Sequence, residues 1–160
     1  MSAPLTTYLH DHLSGAKGAI NLLNTLRDQH AGEPLGHFAA EMLVEVEEDR
    51  VVLRGLAEQV GVGSSVMKEA TAWLGEKVSR LKLRRRATGG LGTFEALEAL
   101  ALGILGKLAL WRALAVVATT DVRLHGIDFD HLAARAQAQH ARVEARRLEA
   151  ARLTLRADPA

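Results

Sequence analysis

Long stretches with apolar side chains at helical spacing are the feature that most constrains how this chain can fold. Apolar residues recur roughly every three or four positions, which is the spacing of one face of an α-helix. Short segments rich in glycine or proline separate these stretches, as at 31–34 and 89–90. Strand-like runs of β-branched and aromatic residues are missing. The sequence therefore predicts an all-α fold.

The apolar spacing and its interruptions predict five helices in the 160 residues. Short connections make neighbouring helices antiparallel. We therefore expect one domain over residues 1–160, an antiparallel up-down four-helix bundle with an additional fifth C-terminal helix. The five predicted helices cover residues 4–30, 35–60, 66–86, 94–119 and 128–155. The apolar stripe predicted for the first consists of Leu5, Leu9, Ala16, Ala19, Ile20, Leu23 and Leu26, and that of the second of Leu35, Phe38, Met42, Val46, Leu53, Leu56 and Val60. The buried stripe predicted for the fifth consists of Phe129, Leu132, Ala136, Val143 and Leu148.

The fourth predicted helix is apolar on nearly all sides, which predicts that it is the most enclosed element of the bundle. Residues 99–118 are long enough to cross a bilayer, but Lys107 and Arg112 lie within them. A charged side chain near the centre of a membrane span costs about 3 kcal/mol. We therefore expect a soluble protein in which Gly103 and Gly106 serve close packing between helices.

Composition excludes several classes of function. There is no cysteine, so disulfides, thiolate metal sites and cysteine nucleophiles are absent. Lys and Arg total 20 against 19 for Asp and Glu, which gives no general attraction to nucleic acid or to an anionic membrane. Residues 1–8 have neither a basic nor an apolar segment, so we expect no secretory signal and a cytoplasmic location.

Single polar residues interrupt the apolar stripes of the first three predicted helices: His12, Asp49 and Lys77. Folding the helices back about their connections brings these three positions to similar levels along the bundle axis. Lys107 lies about one helical turn from that level, and Glu45 lies at the edge of the stripe of its helix. A buried charge is costly unless it is paired. We therefore predict a buried polar cluster of these five residues, held by a salt bridge between Asp49 and Lys77. His10, by contrast, is expected to be solvated.

Five stretches of the sequence are distinctive: Tyr8–Ala16 (YLHDHLSGA), Glu45–Arg50 (EVEEDR), Trp73–Lys77 (WLGEK), Gly106–Trp111 (GKLALW) and Asp128–Ala136 (DFDHLAARA). Together they resemble a group of bacterial helical proteins that have no assigned activity and that look ferritin-like. The resemblance implies a four-helix bundle with an extra helix.

The di-iron site of ferritin-like proteins needs a Glu-x-x-His pair from each of two helices. This sequence contains no Glu-x-x-His, and its nearest pattern, Asp128 to His131, falls at a predicted helix start. The usual site is therefore not expected. Weak candidates for a non-standard carboxylate site are Glu45, Glu48, Asp49, Glu76 and Glu98.

These observations favour a non-enzymatic structural or interaction module without a cofactor. The fifth predicted helix, rich in Ala and Arg, makes a homodimer plausible. Two alternatives stay open. One is a metal-binding ferritin-like protein or oxidase that uses the non-standard carboxylates. The other is a protein that binds a small hydrophobic or anionic ligand between its helices.

Overall fold

All regular secondary structure in the described residues, 4–61 and 90–156 of the computed structural model, is helical. This confirms the all-α prediction for that part of the chain. The helix predicted over 66–86 lies outside it, so the third and fourth helices described below are the predicted fourth and fifth. The elements are α1 (Pro4–Gln29), α2 (Pro34–Val60), α3 (Gly90–Val117), a short 3-10 helix (Val122–Leu124) and α4 (Phe129–Thr154).

The ends of α2 and α4 follow from local chemistry. Pro34 occupies the first turn of α2, where the N–H that proline lacks would have had no partner within the helix. Gly61 ends α2 in the left-handed conformation at φ 90°, and its N–H donates to the carbonyl of Glu58. The Asp128 side chain caps α4 by accepting a hydrogen bond of 2.9 Å from the backbone N–H of His131.

Contacts between side chains give the running directions of the helices. Glu41 and Glu48 of α2 pair with Arg142 and Arg135 of α4, in that order. Residue numbers rise along one helix as they fall along the other, so α2 and α4 are antiparallel. The His30 ring contacts the Thr93 hydroxyl at 3.2 Å, next to the start of α2.

A second contact relates α2 to α3. The contact between His30 and Thr93 lies near the first residues of both α2 and α3. The contact between Asp49 and Lys107 lies farther along both helices, so α2 and α3 run in the same direction. It follows that Gly61 and Gly90, which bound the undescribed internal segment, lie at opposite ends of the helices.

The core lies where α1 packs on α2 and α3 packs on α4. Its largest fully buried side chains come from all four helices and from the 3-10 helix. Burying one Leu or Met side chain contributes roughly 1.5–3 kcal/mol. The stripes predicted for the first two helices lie in this core at Leu9, Ile20, Leu23, Leu26, Phe38, Met42, Val46, Leu53 and Leu56.

The fourth predicted helix, α3 of the structure, is not enclosed on all sides. On α3, Leu102 is 64% exposed and Val116 is 72% exposed. A Cβ atom added at Gly103 or Gly106 would meet no atom of the described residues within 4 Å, so these glycines do not serve close packing between the described helices. A helix that is apolar on every side does not reveal which side faces the core. By length and composition alone α3 is also able to span a membrane, as is the core helix of many soluble proteins.

Two predictions of side-chain burial were wrong. Leu148 of α4 is 48% exposed although it was expected in the buried stripe, because the buried face of α4 runs through Gln139 and Val143 instead. His10 is only 5% exposed rather than solvated, since it lies beside Leu9 and Leu13 on the inner side of α1.

Candidate functional site: an ion-pair cluster beside an interhelical pocket

Asp49 is a buried carboxylate in the inner face of α2. It lies three residues after Val46 and four before Leu53, and helical spacing places all three on one face. Only 4% of Asp49 is exposed. The ammonium nitrogen of Lys107 on α3 lies 2.5 Å from its Oδ2 atom. A buried salt bridge at Asp49 is therefore confirmed, but its described partner is Lys107 and not the Lys77 that was predicted.

Gln139 of α4 joins these two residues. Its side-chain carbonyl accepts a hydrogen bond of 2.5 Å from Lys107, and its amide nitrogen donates to Asp49 and to Glu45, each at 3.1 Å. Gln139 is 1% exposed, and its position between Ala136 and Val143 puts it on the buried face of α4. The sequence argument missed it. The signal was present, because a stripe that includes Ala136 and Val143 needs a member between them.

Two arginines of α4 complete the cluster on its outer side. Arg135 lies 2.5 Å from Glu48 and 3.3 Å from Oδ1 of Asp49. Arg142 lies 2.5 Å from Glu45. Three carboxylates thus face three cations, and the formal charges cancel. We call this group, together with Gln139, the ion-pair cluster: Glu45, Glu48, Asp49, Lys107, Arg135 and Arg142.

Burial and pairing shift the pKa values of three members. Burial lowers the pKa of Lys107, against the attraction of Asp49, which raises it. Burial raises the pKa of Glu45, but hydrogen bonds from Arg142 and Gln139 outweigh it, so this pKa lies below its usual value. The hydrogen bond to Glu48 raises the pKa of Arg135.

An interhelical pocket of about 390 Å³ lies between α1, α2 and α3 and borders the ion-pair cluster. This volume falls within the range of roughly 300–1,000 Å³ that is usual for small-molecule sites. Gly15 and Gly103 contribute no side chain to its walls. The apolar part of the wall includes Ala16, Leu22, Leu53, Leu100, Ile104 and Leu110.

Four polar or charged side chains also line this pocket: His12, Asp49, Arg50 and Lys107. Burial lowers the pKa of His12, against Asp11, which raises it. The Nε atom of Arg50 is buried and finds no hydrogen-bond partner among the described residues. The same holds for the indole nitrogen of Trp111, a residue that lines the pocket and is 1% exposed.

The structure brings together only part of the predicted cluster. Asp49, Lys107 and Glu45 meet in the ion-pair cluster, and His12 lines the adjoining pocket. Lys77 lies outside the described residues, so its predicted salt bridge stays a prediction.

The four predicted carboxylates within the described residues do not form one metal-holding group. Glu98 pairs with Arg147 at 3.1 Å, while Glu45, Glu48 and Asp49 pair with the cations of the ion-pair cluster. Within residues 4–61 and 90–156, no three His, Asp or Glu side chains are arranged to hold a metal ion. Glu76 lies outside those ranges.

No family model, no curated protein and no solved structure matches the chain. The class of protein rests on the described geometry alone. That geometry defines an all-helical protein in which a charge-balanced buried cluster borders a pocket with apolar walls.

Proposed function

We propose that this chain is a non-enzymatic, ferritin-like helical protein that binds a small amphipathic carboxylate in the interhelical pocket. The observation that carries the proposal is that two cationic side chains, Arg50 and Lys107, line a pocket whose walls are otherwise mainly apolar. A cysteine-free sequence and its resemblance to bacterial helical proteins favour a bacterial, cytoplasmic setting.

The running directions of the helices support the ferritin-like part of the proposal. α1 and α2 are joined by a short connection, α3 runs in the direction of α2, and α4 runs against α2. Ferritin-like bundles have this order, with one long crossover between the second and third helices of the bundle.

The charges of the ion-pair cluster favour a site without a metal. Ferritin-like proteins hold cations among inward-facing carboxylates, whereas here each cluster carboxylate already faces a lysine or an arginine. A divalent cation next to Asp49 would have to displace Lys107 or be repelled by its ammonium group. The metal-binding and oxidase alternative therefore has no supporting geometry in the described helices.

The charges around the pocket favour an anionic ligand. Arg50 and Lys107 carry two positive charges against one negative charge on Asp49, so the described charged lining has a net charge of +1. An ammonium group has three N–H donors. The described contacts of Lys107 use two of them, on Asp49 and Gln139, and leave one for a ligand. A carboxylate head with an apolar tail matches both the charge and the walls.

The experiment measures the thermal stability of the full chain with three ligands that share a decyl tail: decanoate, decanol and decylammonium. A ligand at a hundred times its dissociation constant stabilises the folded state by about 2.7 kcal/mol. We expect decanoate to raise Tm, decanol to raise it less, and decylammonium to have no effect. Equal shifts with all three ligands, or no shift with decanoate, would contradict the proposal.

Two pairs of variants locate the binding site. Gly103 lines the pocket, and a Cβ there meets no described atom within 4 Å, so we expect Gly103→Leu to occupy the pocket and abolish the decanoate shift. Gly55→Leu, on an exposed part of α2, should keep the shift. Arg50→Gln should weaken decanoate binding but not decanol binding, whereas Arg54→Gln, one turn farther on the exposed side of α2, should change neither. Stoichiometric iron or manganese in protein purified without added metal would favour the alternative instead.

A further inference from the structure

One face of α3 is exposed along most of the helix and combines apolar residues with one charge of each sign. Its apolar members Leu102, Leu105 and Val116 are 64%, 41% and 72% exposed. Leu148 of the neighbouring α4 does not cover them and is itself 48% exposed. We call this face the exposed stripe of α3: Glu98, Leu102, Leu105, Ala109, Arg112 and Val116, all of them exposed.

The stripe has the spacing of a helix that pairs with another helix. Successive members are alternately four and three residues apart. This is the heptad spacing by which two helices keep one seam in contact over several turns. Exposed apolar residues in a continuous seam, unlike scattered ones, mark an interaction surface.

The two charges of the stripe are placed symmetrically. Glu98 lies seven residues before Leu105, and Arg112 lies seven residues after it. At 1.5 Å per residue, each is about 10 Å from Leu105 along the helix axis. In an antiparallel pair of identical helices related by a two-fold axis at Leu105, each Glu98 would stand opposite Arg112 of the other copy.

Both charges are available for such a pairing. Arg112 is exposed and has no ion-pair partner among the described residues. Glu98 uses one carboxylate oxygen, at 3.1 Å from Arg147, and Arg147 has a second partner in Glu144 at 2.7 Å. The other oxygen of Glu98 has no ion-pair partner within residues 4–61 and 90–156.

We propose that the exposed stripe of α3 binds the same stripe of a second copy of this chain, antiparallel and about a two-fold axis at Leu105. The interface is isologous and closed, so it gives a dimer and no larger assembly. It places self-association on α3 rather than on the C-terminal helix. The proposal does not rest on the carboxylate ligand, because it is argued from the opposite charges of Glu98 and Arg112 about Leu105. The two sites adjoin at Leu102, which belongs to the stripe and also lines the interhelical pocket.

The first test measures molar mass by light scattering during size-exclusion chromatography. We expect about twice the chain mass of 17.3 kDa for the unaltered protein. Leu105→Glu, which introduces two facing carboxylates at the axis, should give the monomer mass with an unchanged helical circular dichroism spectrum. Val44→Glu is the matched control, since Val44 is 57% exposed on α2, and it should remain a dimer.

The second test exchanges the charges and measures the dimer dissociation constant by analytical ultracentrifugation. Glu98→Arg and Arg112→Glu each create two like-charge contacts, and we expect each to raise Kd by tenfold or more, about 1.4 kcal/mol or more. The double variant restores opposite charges and should return Kd to within about threefold of the original.

Three results would overturn the proposal. The first is a monomer at all concentrations tested. The second is a double variant that associates as weakly as the two single ones. The third is a monomer that floats with vesicles of anionic phospholipid and loses this binding on Leu105→Glu, which would assign the stripe to a membrane surface.

Discussion

Lys107 and Asp49, 58 positions apart in the chain, meet with 2.5 Å between the ammonium nitrogen and a carboxylate oxygen. Their side chains are only 15% and 5% exposed. A charge buried to this extent costs several kcal/mol of hydration, which an opposite charge and further hydrogen bonds must offset. Gln139 supplies those bonds to both partners. The contact therefore ties α2, α3 and α4 together at one height.

Removing the carboxylate should be strongly destabilising. We expect Asp49→Ala to lower the free energy of unfolding by about 3–5 kcal/mol, because Lys107 would be left buried without its countercharge. Urea unfolding followed by circular dichroism measures this change. Glu47→Ala, which removes an exposed acid from the same helix, is the control and should cost less than about 0.5 kcal/mol. A loss near zero for Asp49→Ala would mean that the carboxylate is hydrated.

Replacing both partners with apolar residues should recover much of that loss. In Asp49→Leu combined with Lys107→Met, no charge of this pair remains to be hydrated, and such exchanges are often neutral or stabilising. We expect the double variant to be more stable than Asp49→Ala in the same urea experiment. If it is less stable, the pair contributes more by attraction than it costs by burial.

Gly36 should not tolerate a side chain. A Cβ atom there would lie 2.0 Å from the backbone oxygen of His30, in the turn between α1 and α2. We expect Gly36→Ala to lower Tm, by an amount that corresponds to about 1–3 kcal/mol. Gly55→Ala is the matched change, because its Cβ would meet nothing within 4 Å, and it should stabilise α2 by about 0.4–1 kcal/mol. Equal effects of the two substitutions would contradict the close approach at His30.

His12 should make the protein less stable in mild acid. Burial lowers its pKa below 6.5, so the unfolded chain binds this proton more readily than the folded one. The contribution of His12 is therefore fully present above pH 6.5 and is lost as the pH falls from there through the lowered pKa. NMR titration of the imidazole should give a midpoint below 6.5.

A pair of variants separates this effect from other acid titrations. Between neutral pH and mild acid, the Tm of His12→Gln should decrease less than the Tm of the unaltered protein. His37→Gln removes an exposed histidine and serves as the control. A midpoint at or above 6.5 for His12 would show that the ring is hydrated.

The helices and the position of Asp49 could be predicted because both depend on local signals. Pro34, Gly61 and Asp128 mark helix ends through their own backbone and side-chain chemistry. Asp49 stands out because a carboxylate in an apolar stripe needs a countercharge wherever it lies. These inferences required no knowledge of which helices are neighbours.

The rest of the site depends on which helices are neighbours, and the sequence does not specify this. Counting positions back from the connections between helices gave the levels of Lys77 and Lys107 along the bundle axis. A level along the axis does not decide which helix faces Asp49. Gln139 carries no charge and lies in a polar stretch, so its position between Ala136 and Val143 was the only sign that it is buried. The exposed side of α3 could not be predicted because the apolar residues of that helix lie on nearly all of its sides.

The charge balance of the ion-pair cluster has a consequence for the living cell. A bundle whose centre is neutralised by iron depends on the supply of that metal, and it loses stability when the metal is scarce or removed by a chelator. Here the neutralising cation is part of the polypeptide, so it is supplied by translation together with the acid that it pairs with. Burial of Asp49 should therefore not depend on the supply of a metal ion.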